Sequence, residues 1–254
     1  MQVAEQAATL DALSGGRLQL GVGAGPFPAS WEAFGRDIDD RHRLWDESVG
    51  RLHEVLDGTA LNSAGEVLHP PADGVRGQLW QATTSKPEHS HRTAAAAGRA
   101  GDGLQLSRAN AWRGGTPEEA QEAQASWIRS YREAFTQTHP DAQPRVQVSR
   151  AVYPHLDREA AVELVTPGVR RWQSWSTHPD VVHEETVPEY LERDRALLGP
   201  SGDIAAELAA DPALENITDL LVSFVPGVPD HGEHLRLLET TATELAPLLG
   251  WRPA

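Results

Sequence analysis

The stretch "VAEQAATLDALSGGRLQLGVGAG", residues 3 to 25, predicts a helix that leads directly into a strand. Apolar side chains recur at helical intervals in its first half, and the glycine pair that follows is a stop signal for a helix. The positions concerned are Val3, Ala7, Leu10 and Leu13, followed by Gly15 and Gly16. The segment "RLQLGVG" (17–23) then alternates apolar residues with glutamine or glycine, as a strand does.

Three glycines, Gly21, Gly23 and Gly25, stand at the end of this strand. Glycine at a strand end allows the backbone to approach a ligand closely. A dinucleotide-binding loop is excluded, because it needs a helix directly after the last glycine, whereas this chain continues into "PFPAS" (26–30). We therefore expect Gly23 and Gly25 to bring the backbone close to a different kind of ligand.

The same succession of strand and helix continues along the chain and predicts an α/β fold. The predicted strands are "RLQLGVG" (17–23), "GQLWQAT" (77–83), "DGLQLSRA" (102–109), "RVQVSRAVYP" (145–154) and "ITDLLVSFVPG" (217–227). Strict alternation implies parallel strands joined by right-handed crossovers. A long helical region is predicted from Arg158 to about Leu198, and the whole chain, residues 1–254, is predicted to be one domain.

Two faces are distinguishable on the predicted strands. One face carries Leu18, Leu20, Leu104, Leu106, Val146 and Val148, and the other carries Gln19, Gln105, Gln147, Ser107 and Ser149. Strands buried in an open, doubly wound sheet should be apolar throughout. The alternation therefore favours a barrel with a polar interior beside a polar ligand, and half-solvated strands are the alternative.

Composition restricts the function. The chain has no cysteine, so disulfides, thiolate metal sites and cysteine nucleophiles are excluded, and any redox chemistry needs a bound cofactor. A net charge of -15 argues against nucleic acid as a partner. No apolar run is long enough to span a membrane, and the N-terminus lacks the basic region of a signal peptide. These features predict a soluble, cytoplasmic protein.

Several stretches together resemble the luciferase-like monooxygenase family, whose members are flavin- or deazaflavin-dependent (β/α)8 barrels. They are residues 3–25, "WEAFG" (31–35), "RHRLWDES" (41–48), "SHRTAAAAGRAGDGLQLS" (90–107), "YLERDRALLGPSGDIAAELA" (190–209) and "ITDLLVSFVPG" (217–227). In that family the first of these helices follows the third strand, so the first three βα units have no counterpart here. The resemblance therefore implies an incomplete (β/α)8 barrel of about five strands.

An incomplete barrel has open edges at its first and last strands, and open edges pair readily with other chains. We therefore expect either a homo-oligomer that associates through these edges, or a protein whose true start lies upstream of Met1. The resemblance further implies flavin mononucleotide as cofactor, a flavin reductase as partner, and oxidation of a small organic substrate by dioxygen that the reduced flavin activates. Deazaflavin-dependent hydride transfer is one alternative, and a non-catalytic flavin-binding or interaction protein is another.

Hydroxyl groups at the Ser-x-x-Thr spacing of Ser90 and Thr93 bind the flavin phosphate in the resembled family. The amide groups at a helix start and the helix dipole favour an anion in the same place, and Arg92 adds positive charge. Ser90 as a simple N-cap is the alternative. The resemblance also suggests that Ser107 lies near the flavin ring.

Tryptophan residues are the candidates for a substrate wall. Trp31 follows the glycine-ended strand, and Trp172 is spaced from Trp175 so that both can share a helix face. The Trp172 pair could equally form part of a core. The histidine pairs His89/His91 and His231/His234 lack a recognised zinc spacing, so we predict no metal site and assign no catalytic acid or base.

Overall fold

The computed structural model describes residues 1–25, 27–83, 87–108, 115–175 and 185–251. The strands are β1 (Leu20–Val22), β2 (Leu79–Ala82), β3 (Gly103–Leu106), β4 (Val146–Pro154), β5 (Leu197–Gly199) and β6 (Asp219–Ser223). The α-helices are α1 (Gln2–Ser14), α2 (Pro28–Ala33), α3 (Arg41–Leu56), α4 (Asp73–Gly77), α5 (Pro87–Ala100), α6 (Pro117–Thr138), α7 (Arg158–Trp175), α8 (Val187–Arg193), α9 (Ser201–Ala209), α10 (His231–Thr240) and α11 (Ala246–Leu248). Parallel strands alternate with helices, which confirms the predicted α/β class of an incomplete (β/α)8 barrel.

The chain divides into two compact units, so the prediction of one domain over residues 1–254 stays a prediction. The first unit contains residues 1–105 and 130–145, and the second contains 106–129 and 146–254. None of the described helices is both long enough and apolar enough to cross a lipid bilayer.

In the first unit, β1 pairs in parallel with β2, and β2 pairs in parallel with β3. Small side chains of α1 pack with α3 and α4 over the helix-facing side of β1, where Leu18 and Leu20 join the cluster. The buried members of this cluster are Ala4, Ala7, Ala8, Val55, Leu56, Leu68, Ala72 and Val75. The alanines bring α1 close to the strand, whereas Leu10 and Leu13 of the predicted apolar stripe are exposed.

In the second unit, β4 pairs in parallel with both β5 and β6. One core cluster joins β4 and β5 to α9 and β6, and another joins them to α7, α8 and α10. The helical region predicted to reach Leu198 ends earlier, and this prediction is corrected. Thr186 and Glu189 form a capping box that starts α8, and Arg195 takes a left-handed φ of 49° that turns the chain into β5.

Exposed apolar side chains lie on α1, which precedes β1, and on β6 and the helix α10 that follows it. In the first unit they include Val3, Leu10 and Leu13 on α1, and in the second unit Leu221 on β6 and Leu235 and Leu238 on α10. Among the described strands, β1 pairs only with β2 and β6 pairs only with β4. Open, partly apolar strand edges are the feature from which association between copies was predicted, and that association stays a prediction.

Candidate cofactor and substrate site

One face of β1, β2 and β3 is built from small residues around a single indole ring. Gly21, Trp80 and Gly103 are register partners and therefore share this face. A Cβ atom on Gly103 would lie 2.3 Å from Cε3 of Trp80, so the ring needs a glycine beneath it. The guanidinium of Arg145 lies 4.7 Å from the centre of the ring and donates a hydrogen bond to the Leu79 carbonyl. Trp80 thus closes the amino-terminal end of this face.

Towards the carboxyl ends of the strands the same face is shallow. Ala82 and Gln105 are register partners, and a Cβ atom on Gly23 would be 3.4 Å from the Cβ of Ala82. A Cβ atom on Gly21 would lie 2.8 Å from Oε1 of Gln105, so that glycine makes room for the amide. The result is a flat surface bordered by an amide group. The role predicted for Gly23, a close approach of the backbone to a cofactor, stays a prediction.

Gly25 and Trp31, two residues predicted for the site, are in direct contact. The indole Nε1 of Trp31 donates a hydrogen bond of 3.1 Å to the carbonyl of Gly25. Gly25 has a φ of +73°, a left-handed conformation that disfavours other residues. The strand-end glycine therefore orients the loop that holds the tryptophan.

A cavity of about 540 Å³ opens beside the carboxyl end of β1. It lies between α1, α2 and α3, and both Gly23 and Trp31 contribute to its wall. The other lining residues are Met1, Val3, Ala4, Val22, Ala24, Arg41, Leu44, Trp45, Glu47, Ser48, Val49, Arg51, Leu52 and Val55. Its volume is in the range of small-molecule sites. Sequence reasoning missed α3 as a wall, because its helical spacing alone does not show which side meets a cavity.

Ser90 and Thr93 lie close to the carboxyl end of β2. The Thr93 hydroxyl donates to the His89 carbonyl at 2.9 Å and lies 3.3 Å from the hydroxyl of Thr83, the residue after β2. Ser90 is fully buried, and Thr93 is 9% exposed. Helix α5 begins at Pro87, so Ser90 lies inside the helix and the N-cap alternative is wrong. Residues 84–86, including the single lysine Lys86, lie outside the described part of the chain.

Two imidazole rings and a guanidinium group lie near the start of α5. The rings of His42 and His89 are 4.3 Å apart, and Arg92 forms a 2.9 Å ion pair with Asp46. Burial lowers the pKa of His42, and the neighbouring His89, Arg41 and Arg92 lower it further. An anion bound near the helix start would offset this repulsion.

Clustered metal ligands were not expected. Within the described ranges, no group of three or more histidine, aspartate or glutamate side chains is arranged to hold a metal ion. His234 packs edge-on against Phe224, and His91 Nδ1 lies 2.8 Å from the Ser130 hydroxyl.

The predicted residues Ser107 and Trp172 belong to the second unit. Ser107 directly follows β3 and is exposed, and its carbonyl accepts a 2.9 Å hydrogen bond from the Gln124 side chain. Trp172 is partly buried and packs against the cluster of α7, α8 and α10. The side chain of Trp175 lies outside the described part of the structure, so the pairing of Trp172 with Trp175 stays a prediction.

A buried ion pair that sequence reasoning missed follows β3 in the second unit. Arg108 binds the carboxylate of Asp194, which is 2% exposed and stands at the end of α8. Burial raises the pKa of Asp194 to about 6, although Arg108 and Arg193 oppose the shift. Burial likewise raises the pKa of the neighbouring Tyr190 to about 12. No local pattern links positions so far apart along the chain.

Stability should depend on pH through Asp194. Because its folded-state pKa exceeds the ordinary 3.8, the contribution of this carboxyl is largest below that value and is lost as the pH rises through 6. Between about pH 4.5 and about pH 7 we expect the natural chain to lose about 2 kcal/mol of unfolding free energy relative to Asp194→Asn. Urea denaturation at both pH values tests this, and identical pH dependence in the two proteins would contradict it.

Comparison with known proteins identifies the family to which the chain belongs. A family model described as luciferase-like monooxygenase matches residues 1–222. A 4-hydroxyprotoasukamycin monooxygenase from Streptomyces nodosus subsp. asukaensis is 45% identical over 56 residues, which are 22% of this chain and 15% of that protein. The curated relative is thus matched over a small part of its length.

Solved structures share the fold. The monooxygenase RslO1 from Streptomyces bottropensis superimposes with a TM-score of 0.71 at 20% identity, covering 97% of this chain and 73% of that one. The coenzyme F420-dependent tetrahydromethanopterin reductase from Methanopyrus kandleri gives 0.58 at 14% identity, covering 96% and 78% of the two chains.

Proposed function

Since the chain belongs to the luciferase-like monooxygenase family of flavin-type oxidoreductases, we propose that it binds flavin mononucleotide and oxidises a small organic substrate with dioxygen. The observation that carries the proposal is the flat, small-residue surface at the carboxyl ends of β1 and β2. Bound flavin would supply the redox chemistry that a chain without cysteine cannot supply itself.

Each part of this surface has a distinct role in the proposal. Gly23 and Ala82 support the ring, because a larger side chain at either position would occupy its place. The Thr93 hydroxyl, which donates to the His89 carbonyl in this structure, would donate to the phosphate instead. Ser90 lies three residues before it in α5. The positive charge of Arg92 favours the anion. The protein thus binds and orients the cofactor.

The partners follow from the same proposal. A flavin reductase would supply the reduced cofactor, and a second copy of the chain would cover the open strand edges. The monooxygenases among the relatives are consistent with oxygen-dependent chemistry.

A deazaflavin is the second candidate cofactor. The reductase from Methanopyrus kandleri, whose name specifies coenzyme F420, has the same fold. With a deazaflavin, the chain would catalyse hydride transfer without oxygen. The flat surface would serve either ring system, so the two candidates differ in the ligand that the chain retains.

Titration of the purified chain with flavin mononucleotide and with F420, followed by fluorescence, tests the proposal. We expect the mononucleotide to bind, and Thr93→Ala to weaken that binding about tenfold, because a hydrogen bond to a charged phosphate is lost. Thr138→Ala is the matched control, since Thr138 makes the same bond to a carbonyl four residues earlier, in α6.

Different outcomes separate the candidates. Binding of F420 alone would replace the oxygenase proposal by the hydride-transfer one. Binding of flavin without turnover in the presence of a flavin reductase would favour the non-catalytic alternative. If neither cofactor binds, both enzyme proposals fail.

A further inference from the structure

The cavity beside β1 combines two indole rings with aliphatic side chains. Trp31 comes from α2 and Trp45 from α3, while Val22, Leu44 and Leu52 supply apolar surface. Such a wall favours a flat aromatic molecule, because aromatic rings pack well against one another and against aliphatic groups. Its volume of about 540 Å³ is large enough for a molecule with two or more rings.

The charged residues of the cavity wall are not equivalent. Glu47 forms a 2.9 Å ion pair with Arg43, and Arg51 forms one of 2.7 Å with Glu54. Arg41 makes no ion pair with any residue that the structure describes. The cavity therefore has one guanidinium available for a ligand.

The position of Arg41 further distinguishes it from the paired charged residues of the cavity wall. It is the first residue of α3, where the helix dipole adds partial positive charge. The nearby carboxylate of Asp40 is already bound to Arg43 at 3.0 Å. An anionic group entering the cavity would thus meet a guanidinium that forms no ion pair with a described residue, beside an apolar wall.

We infer that this cavity binds an aromatic carboxylate, with the ring system against Trp31 and Trp45 and the carboxylate at Arg41. The inference rests on the proposed function in one respect, namely that such a compound is the substrate class. Gly23 belongs to both the cavity and the flat surface, so a ligand here would lie next to the proposed cofactor position.

Isothermal titration with 2-naphthoate and with uncharged 2-naphthylmethanol tests the inference. We expect 2-naphthoate to bind about tenfold more tightly than the alcohol, since a guanidinium–carboxylate pair contributes at least one order of magnitude in a partly desolvated site. Arg41→Gln should remove this difference and leave the affinity for the alcohol within about twofold. Trp45→Leu should weaken both probes.

Arg99→Gln is the control, because it removes one exposed arginine of the same unit that does not line the cavity. Thermal melting identifies any variant that fails to fold. The inference is overturned if neither probe binds, if Arg41→Gln leaves the preference intact, or if flavin mononucleotide displaces 2-naphthoate competitively. None of these results alters the retention of flavin or its dependence on Thr93, so the proposed function is tested separately.

Discussion

Asp211→Ala is expected to lower the free energy of unfolding by about 3–5 kcal/mol, the cost of leaving a buried charge without its partner. Arg150 lies on β4, and its Nε donates to the Asp211 carboxylate at 2.7 Å, with both side chains 1% exposed. Gln121 also donates to this carboxylate, at 2.9 Å. Removal of the carboxylate leaves the guanidinium and the amide without their acceptor. Urea unfolding monitored by circular dichroism gives the change.

A double replacement tests whether the effect comes from the unpaired charge. Arg150→Met with Asp211→Leu removes both charges and keeps apolar volume, so it should recover a large part of the stability lost in Asp211→Ala. Glu122→Gln is the surface control, since Glu122 pairs with Arg129 in an exposed position and should change little. A small loss for Asp211→Ala, similar to that of the control, would show that the pair is unimportant.

Gly168→Ala should also be strongly destabilising, by about 3 kcal/mol or more, because overpacking against the backbone cannot be relieved by a side-chain movement. A Cβ atom at this position in α7 would lie 1.7 Å from the carbonyl oxygen of Pro226, which follows β6. The helix and the loop after β6 would have to separate. Thermal or urea unfolding measures the loss.

Gly50→Ala is the opposite case on α3. A Cβ atom there meets nothing within 4 Å, so the replacement removes only the entropic cost of glycine in a helix. It should raise the unfolding free energy by about 0.5–1 kcal/mol. If both alanine variants behaved alike, packing between α7 and the loop after β6 would not explain the requirement at position 168.

The glutamines of the strands show where sequence reasoning succeeds and where it stops. Gln105 was assigned to the face opposite the helices, and it lies there above Gly21. Gln81 has the same residue type and also lies in a strand, but it faces the other side, is 5% exposed, and donates to the Asp102 carboxylate at 2.7 Å. Alternation predicts the faces of a strand, but it does not predict that a distant carboxylate satisfies a polar side chain on the buried face.

In the candidate site, too, some features could be predicted from the sequence and others could not. Gly25 and Trp31 are close in sequence, and the local turn that joins them could be anticipated from glycine chemistry. The cavity wall from α3 and the ion pair of Arg108 with Asp194 could not, because they depend on how distant elements pack.

The sequence by itself determined five of the six strands, their alternation with helices and the parallel α/β class, since periodicity, glycine stops and chain order are local properties. It missed β5, which it placed in a long helical region. It also determined that redox chemistry needs a cofactor, because no cysteine is present. Only the tertiary structure decided that Trp80 closes one end of the β1–β3 face, that Ser90 is enclosed within α5, and that Arg41 in the cavity wall forms no ion pair with a described residue. Burial and pairing depend on contacts between residues far apart along the chain, and a local sequence pattern does not predict such contacts.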